Sequence, residues 1–398
     1  MQRLAIIDPG LYEVGGHHAA LLNTIAVKEQ EIPVEITIYS SLHIAEELHD
    51  FAHRQNLKIN PWFNSNFYQH FDDNANFKSA AINAFIRGLA LEFKSAIVDM
   101  LAGVAVGDNV IFWYPCVNWE HASALSLALS QLVDFQQYVD CACKHKICSM
   151  FMSQQPEQKF ANLPYETSFR RLNKLSNVEL FASDWELREY LESLNIKVSG
   201  IHPCYLLPWS CIKSAKEKYV SAENSSRTFL LYMGDAKENK GFTLLPALIQ
   251  SLSAKHSKDV KFVVQYTMTW SSPELAKAEQ QLNELVEQIE NFELHKAFWS
   301  VGELIRILSS TDLIFCTYEA SAYYFKSSGL AWLASFFNIP VLLRGESWLT
   351  REFSRLHHPF EVSPTLTYST QLLEKAISQT TEYRSSLFLE PIDWLYEN

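Results

Sequence analysis

From residue 4 to residue 344, short runs rich in β-branched and aromatic residues alternate with longer segments of helical period, and few folds accept such a pattern. The first half reads as strands at Leu4–Asp8, Val34–Tyr39, Asn109–Tyr114, Ile147–Met152 and Val178–Ser183. Helical segments lie between them, His18–Lys28, Ala80–Leu101, Ala122–Tyr138 and Trp185–Leu194 among them. Strand, helix and strand in repetition require crossover connections, hence a parallel sheet covered by helices on both faces. The stretch "YLLPWSCIKSAKEKYVSAENSS" interrupts this rhythm with a proline, mixed charges and a polar cluster, and reads as a connector. The pattern restarts with "RTFLLYMGD", a helix over 242–254, Val260–Tyr266, a helix over 273–290, "DLIFCTY", a helix over 329–337 and "PVLLR". We therefore expect two tandem doubly wound α/β domains, residues 1–205 and 227–380, joined by a linker over 206–226. The final segment, 381–398, reads as a helix whose aromatics need a partner surface, and a return to the first domain would supply one.

At 398 residues the chain is too long for one compact core. A hydrophobic share of 48% with 20% charged residues suits a globular protein with large cores. The net charge of −12 excludes a nucleic-acid binder, since neutralising phosphates needs clustered Lys and Arg. The best basic patch, "FRRLNKL", is short; it reads as a solvated helix face and leaves room for a peripheral membrane contact. No apolar run approaches the ~20 residues of a transmembrane helix, and "MQRLAIIDPG" holds too short an apolar stretch for a signal peptide. Cys141, Cys143 and Cys148 cluster around His145, but C-x-C-x-H-x-x-C matches no usual structural zinc pattern and Cys148 falls in an apolar strand. A reducing cytoplasm without a metal cofactor is the expectation.

Open α/β sheets bind ligands at the carboxyl ends of their strands, where loops meet helix N-termini. Three stretches occupy such positions. In "IIDPGLYEVGGHHAALLNTI" the first strand ends in an Asp-Pro-Gly turn, and Gly15 and Gly16 lead to His17 and His18 where a helix should start. Bare glycines let a ligand approach the backbone, and the helix start attracts anions. The imidazoles suit hydroxyl contacts or acid–base work near neutral pH. Neither a dinucleotide fingerprint nor a P-loop is present. In "LLYMGDAKENKGFTLLPALIQSL" a strand ends at Gly234, and Lys237 and Lys240 follow in a charged loop, well placed to neutralise a diphosphate or simply solvated. In "YEASAYYFKSSGLAWLASFFNIPVLL" the run Ser327-Ser328-Gly329 opens an apolar helix with hydroxyls and unpaired N–H groups. Glu319 and the aromatics Tyr323, Tyr324 and Phe325 share that loop. His121, in "NWEHASALS", is a further candidate against the simpler reading of a helix-surface histidine.

The tandem layout, the glycine-rich first loop, "MGDAKENKGF" and "SSGLAWLASFFNIPVLL" together resemble the GT-B glycosyltransferases, in particular the retaining branch that includes glycogen synthase and many bacterial sugar transferases. The resemblance implies two Rossmann-like domains facing each other across a cleft, a nucleotide-sugar donor held mainly by the second, and no metal. It places Lys240 on the donor diphosphate, Gly15 and Gly16 in the glycine loop facing the donor, and Ser328 and Gly329 at the phosphate-binding helix start. Two departures stand out. Asp235 occupies the place of an arginine that often follows the strand-end glycine, leaving Lys237 to supply that charge. The family's pair of glutamates eight apart would fall near Phe325 and Leu333, so Glu319 would have to take the first role from upstream. The implied function is transfer of a sugar from a nucleotide-diphosphate-sugar to a glycan or other hydroxyl acceptor, with His17 and His18 near the reacting groups. A sugar-nucleotide epimerase or hydrolase, and a non-catalytic sugar-binding relative, stay open.

Overall fold

The computed structural model describes residues 2–29, 34–67, 80–150, 162–202, 205, 207, 211–215, 227–256 and 260–372. The chain divides near residue 206 into two compact units. The C-terminal helix expected over 381–398 and most of the expected linker lie outside the described residues.

The first unit is built on a seven-stranded sheet. Its strands are β1 (Gln2–Ile7), β2 (Glu35–Ser41), β3 (Lys58–Phe63), β4 (Asn109–Val117), β5 (Ala142–Ser149), β6 (Val178–Ala182) and β7 (Gly200–Ile201). They lie in the order β3-β2-β1-β4-β5-β6-β7, and every pairing is parallel. Alternate residues of β1 explain the layering. Ala5 and Ile7 join a core with Phe112, Tyr114 and the helices Ala80–Ala102 and Trp119–Ser130. Leu4 and Ile6 face the other way, packing with Ile38, Trp113 and the helix Gly16–Glu29. A strand stretch buried on both faces must be apolar, as Leu4–Ile7 of β1 and Val110–Trp113 of β4 are.

Residues 122–138, expected as one helix, form two, ending at Ser130 and restarting at Gln136. His145 belongs to the interior of β5: its ring stacks on Phe112 and lies 3.1 Å from the Tyr114 hydroxyl and 2.9 Å from that of Tyr138. Burial drives its pKa down to about 3, leaving a neutral core imidazole. Cys148 accepts a 3.4 Å hydrogen bond from the Trp113 indole, and burial lifts both its thiol and that of Cys143 to about 12.

The second unit repeats the plan with β8 (Arg227–Asp235), β9 (Val260–Thr267), β10 (Phe292–His295), β11 (Leu313–Cys316), β12 (Val341–Leu343) and β13 (Phe360–Val362). Their order is β10-β9-β8-β11-β12-β13, again parallel throughout. Phe229, Leu231, Phe262, Val264 and Phe315 build one face of its core, against the helices Leu245–Lys255 and Pro273–Gln288. In both sheets chain progression reverses beside the first strand of the unit, between β1 and β4 and between β8 and β11. Loops diverge at such a reversal and leave a crevice at the carboxyl ends of the two strands, where ligands of doubly wound sheets bind.

Candidate functional site

In the second unit, the reversal gathers the candidate residues of two separate sequence stretches. The penultimate residue of β8 is Gly234, whose φ of +113° only glycine adopts readily, and its N–H donates to the Gln265 side chain at 2.9 Å. The chain then turns through Asp235 and Lys237 into a short 3-10 turn over Glu238–Lys240. Tyr232 braces this turn: its hydroxyl donates to the Asp235 carbonyl at 2.6 Å and accepts from the Lys237 N–H at 3.3 Å. Two bonds tie the loop to the one after β11. The Thr317 hydroxyl donates to the Lys240 carbonyl at 2.6 Å, and the Glu319 N–H donates to the Asn239 carbonyl at 2.9 Å.

The side chains follow from this clasp. The Lys240 ammonium rests against Gly234, 3.1 Å from where a Cβ would stand, and 5.9 Å from the Tyr318 ring centre. Burial lowers its pKa to about 8; Asp235 opposes the shift, whereas Lys237 and Lys326 add to it. Lys326, over the Tyr323 ring at 5.3 Å, is itself lowered by desolvation and by Lys237. Three ammonium groups thus repel one another in one place. Asp235 answers part of this charge, 3.2 Å from Lys237 and itself anchored by the Thr267 hydroxyl at 2.9 Å. Lys237, expected to replace a missing arginine, is therefore partly neutralised. Ser328 reaches the same group by hydrogen-bonding the Tyr318 phenol, and its hydroxyl accepts weakly from the Leu330 N–H at 3.4 Å. Ser327 and Gly329 flank it at the start of the helix Leu330–Phe337. A small pocket beside them is lined by Tyr232, Met233, Thr317, Tyr318 and Leu330.

Glu319 behaves differently. Its backbone is held by Asn239, but its side chain is exposed and accepts a 2.9 Å bond from the Ser321 hydroxyl. Leu333, at the second family glutamate position, is 1% exposed within its helix, so no side chain there reaches a ligand from the surface.

In the first unit the reversal holds His17, His18, Asp8, Cys116, Phe67 and His121. The helix starts one residue after Gly15, at Gly16, where φ is +80° and the space a side chain would fill is open. The His18 ring donates from Nδ1 to the Asp8 carboxylate at 2.9 Å, and Asp8 also receives the Gly10 N–H at 3.2 Å. Gly10 is obligatory: a Cβ there would overlap the His18 ring. His17 lies over His18 with ring centres 4.0 Å apart, and desolvation together with the His18 ring holds its pKa well below the ordinary value. At neutral pH it is a neutral imidazole. Phe67 meets His18 edge-on and stacks on His121 at 4.4 Å.

His121 is not a helix-surface histidine. It is 1% exposed, its N–H donates to the Asn118 side chain at 3.1 Å, and its Nδ1 accepts from the Asn118 N–H at 3.4 Å. Burial lowers its pKa to about 3. This capping box fixes the start of the helix Trp119–Ser130 and occupies the ring in structure. Sequence reading missed Lys326, Asp8, Cys116 and Phe67 as site residues. Asp8 and Cys116 share a signal of position, at the ends of β1 and β4 beside the reversal, whereas Phe67 and Lys326 lie farther along their loops.

No protein-family profile matches the sequence, and no curated protein does. Solved structures match across nearly the whole chain. An alpha,alpha-trehalose 6-phosphate synthase from Burkholderia multivorans is 9% identical over 99% of this chain and 95% of its own, with a TM-score of 0.56. A glycosyltransferase from Rickettsia africae ESF-5 is 12% identical over 100% and 99%, with a TM-score of 0.51. A UDP-GlcNAc 2-epimerase from Methanocaldococcus jannaschii is 12% identical over 96% and 93%, with a TM-score of 0.52. Sheet order, parallel pairing and these matches agree that the chain has the fold of the GT-B glycosyltransferases, two Rossmann-like α/β domains in tandem.

Proposed function

We propose that this protein transfers a sugar from a nucleotide-diphosphate-sugar to a hydroxyl-bearing acceptor, without a metal in the transfer step and with retention at the sugar carbon. The convergence of Lys237, Lys240 and Lys326 carries the reading. Three mutually repelling cations at a strand-order reversal are poised for a compact anion, and a diphosphate relieves the repulsion. In the reaction the bond between the sugar carbon and the diphosphate oxygen breaks, and its electron pair leaves with the nucleotide. The lysines and the Ser327–Gly329 helix start stabilise that charge as it develops. The acceptor oxygen bonds to the sugar carbon and gives up its proton. In the first unit Gly15 and Gly16 leave room for the incoming ligand, and His17 and His18 bind its hydroxyls. As a neutral imidazole, His17 has a lone pair for a hydroxyl proton. Among the described residues no helix is long and apolar enough to cross a membrane.

The test has two stages. Thermal shift of the full chain with UDP, GDP, dTDP and CMP should give one nucleotide that raises Tm by several degrees, as expected for ligand at ~100 times its Kd. UDP is the first to try because a structural neighbour is named as UDP-forming. The matching nucleotide-sugar should then release nucleotide only when an acceptor is added. Release or isomerisation without acceptor favours an epimerase or hydrolase, a reading the UDP-GlcNAc 2-epimerase neighbour supports. Binding of no nucleotide would overturn both and favour a non-catalytic role.

A further inference from the structure

We infer that His17, His18 and Cys116 form a binding site for one thiophilic divalent cation of the Zn²⁺ type. Among the described residues this is the grouping in which three metal-ligating side chains meet, with ligand atoms all within 4.8 Å of one another. Ligands around tetrahedral zinc, at ~2.0 Å for nitrogen and ~2.3 Å for sulfur, stand roughly 3.3–3.6 Å apart. Modest rotation of the side chains closes the difference, and the partly exposed His17 ring is the one with room to turn.

The surroundings fit a metal better than a random meeting of side chains would. Asp8, 2% exposed, takes the Nδ1 proton of His18 at 2.9 Å, so Nε2 is the nitrogen this ring offers. A carboxylate behind a histidine is the arrangement that fixes ring orientation and raises basicity in metal sites. Gly10 is what lets that ring lie against the Asp-Pro-Gly turn. The ligands come from two neighbouring strands of one sheet, the His pair from the loop and helix after β1 and Cys116 from the end of β4, so the backbone holds them in register. Phe67 and Met150 pack on Cys116 and supply an apolar shell.

On binding, the Cys116 thiol releases its proton to solvent, the thiolate and two neutral imidazoles donate electron pairs, and no redox change occurs. The anionic sulfur cancels one of the ion's two charges, so the site gains +1 rather than +2, which an apolar shell tolerates more readily. Three protein ligands leave a fourth position for water or another exchangeable ligand, so the ion is removable and the fold does not depend on it. The site does not rest on the sugar-transfer reading, although it shares His17 and His18 with it. If that reading also holds, the ion occupies both imidazoles and inhibits transfer.

Cobalt titration of the reduced full-length protein tests this. One equivalent of Co²⁺ should bind and give a sulfur-to-cobalt charge-transfer band with the visible bands of a tetrahedral centre. Cys116→Ser should remove the charge-transfer band, and Asp8→Asn should weaken binding ~10–100-fold, the usual effect of losing such a support. Should the Cys116 variant fail to fold by circular dichroism, His17→Gln decides, with at least tenfold weaker binding expected. Absence of stoichiometric binding, a band that survives Cys116→Ser in folded protein, or unchanged affinity in His17→Gln would each overturn the site. None of these readouts uses sugar transfer, so the two proposals fail separately.

Discussion

Replacing Lys240 by methionine weakens nucleoside-diphosphate binding about 100-fold and raises the melting temperature of the unliganded protein. The first effect follows from losing a charge-assisted contact to phosphate in a partly desolvated position, where such bonds contribute up to ~3 kcal/mol. The second follows from the sign of the pKa shift. Burial lowers the folded-state pKa of Lys240 from 10.5 to about 8, so folding favours the neutral amine. The penalty on the charged form is complete below pH ~8 and fades as pH approaches the unfolded value. Methionine keeps the stem and removes the charge, and with it that penalty. The same shift gives the wild-type protein a pH signature. A bound diphosphate draws the pKa of Lys240 back up, so binding takes up a proton once the free lysine begins to deprotonate. Affinity should be level from pH 7 to about 8 and then fall by up to tenfold per pH unit. The methionine variant should lose the part of that break due to Lys240 and keep only what Lys326, also lowered, contributes. Calorimetry across pH 7–9.5 measures both. A Kd within threefold of wild type at pH 7.5 would remove Lys240 from the donor site.

How much of this was legible in the sequence depends on where each residue sits. The central strands were readable because burial on both faces forces unbroken apolar runs, as in "LAII" of β1 and "FLLY" of β8. The strands passed over are β3, β7, β10 and β13, which are the four edges of the two sheets. An edge strand is half solvated and carries mixed polarity, so "KINPWF" and "FELH" show neither a run nor a clean alternation. Pro61 even argues against a strand until β3 is known to be an edge, where a missing N–H is tolerated. The same distinction divides the sites. Lys240, Ser328 and the His17–His18 pair lie beside glycines at strand tips, and local grammar points to them. Lys326 and Cys116 acquire meaning only when two loops far apart in sequence converge, which periodicity cannot show. The lost glutamate pair was visible in sequence, but the reason it stays lost was not: Leu333 faces the core, so the helix presents no side chain to a ligand there.

Gly241→Ala should destabilise the second unit by about 3–5 kcal/mol, a large effect for a single methyl group. Gly241 links the turn bearing Lys240 to the helix that follows, with a φ of +75° that costs a residue with a side chain ~1–2 kcal/mol. An added Cβ would stand 2.8 Å from Thr317 Cβ and closer still to the Thr317 carbonyl oxygen. The carbonyl belongs to the backbone just beyond β11 and has nowhere to go, so overpacking adds ~1–3 kcal/mol. Relief requires the two loops to part. Parting breaks the 2.6 Å bond from the Thr317 hydroxyl to the Lys240 carbonyl and withdraws the ammonium from Gly234. Stability and diphosphate affinity should therefore fall together, with the melting transition of this unit lower by roughly 10 °C. Gly302→Ala is the contrast. It lies in the helix Val301–Ser309 with no atom near its would-be Cβ, so alanine there should add ~0.5–1 kcal/mol and leave binding unchanged. If Gly241→Ala melts within 2 °C of wild type and binds nucleotide normally, the clasp between the two loops does not position the lysine, and the charge cluster loses its structural cause.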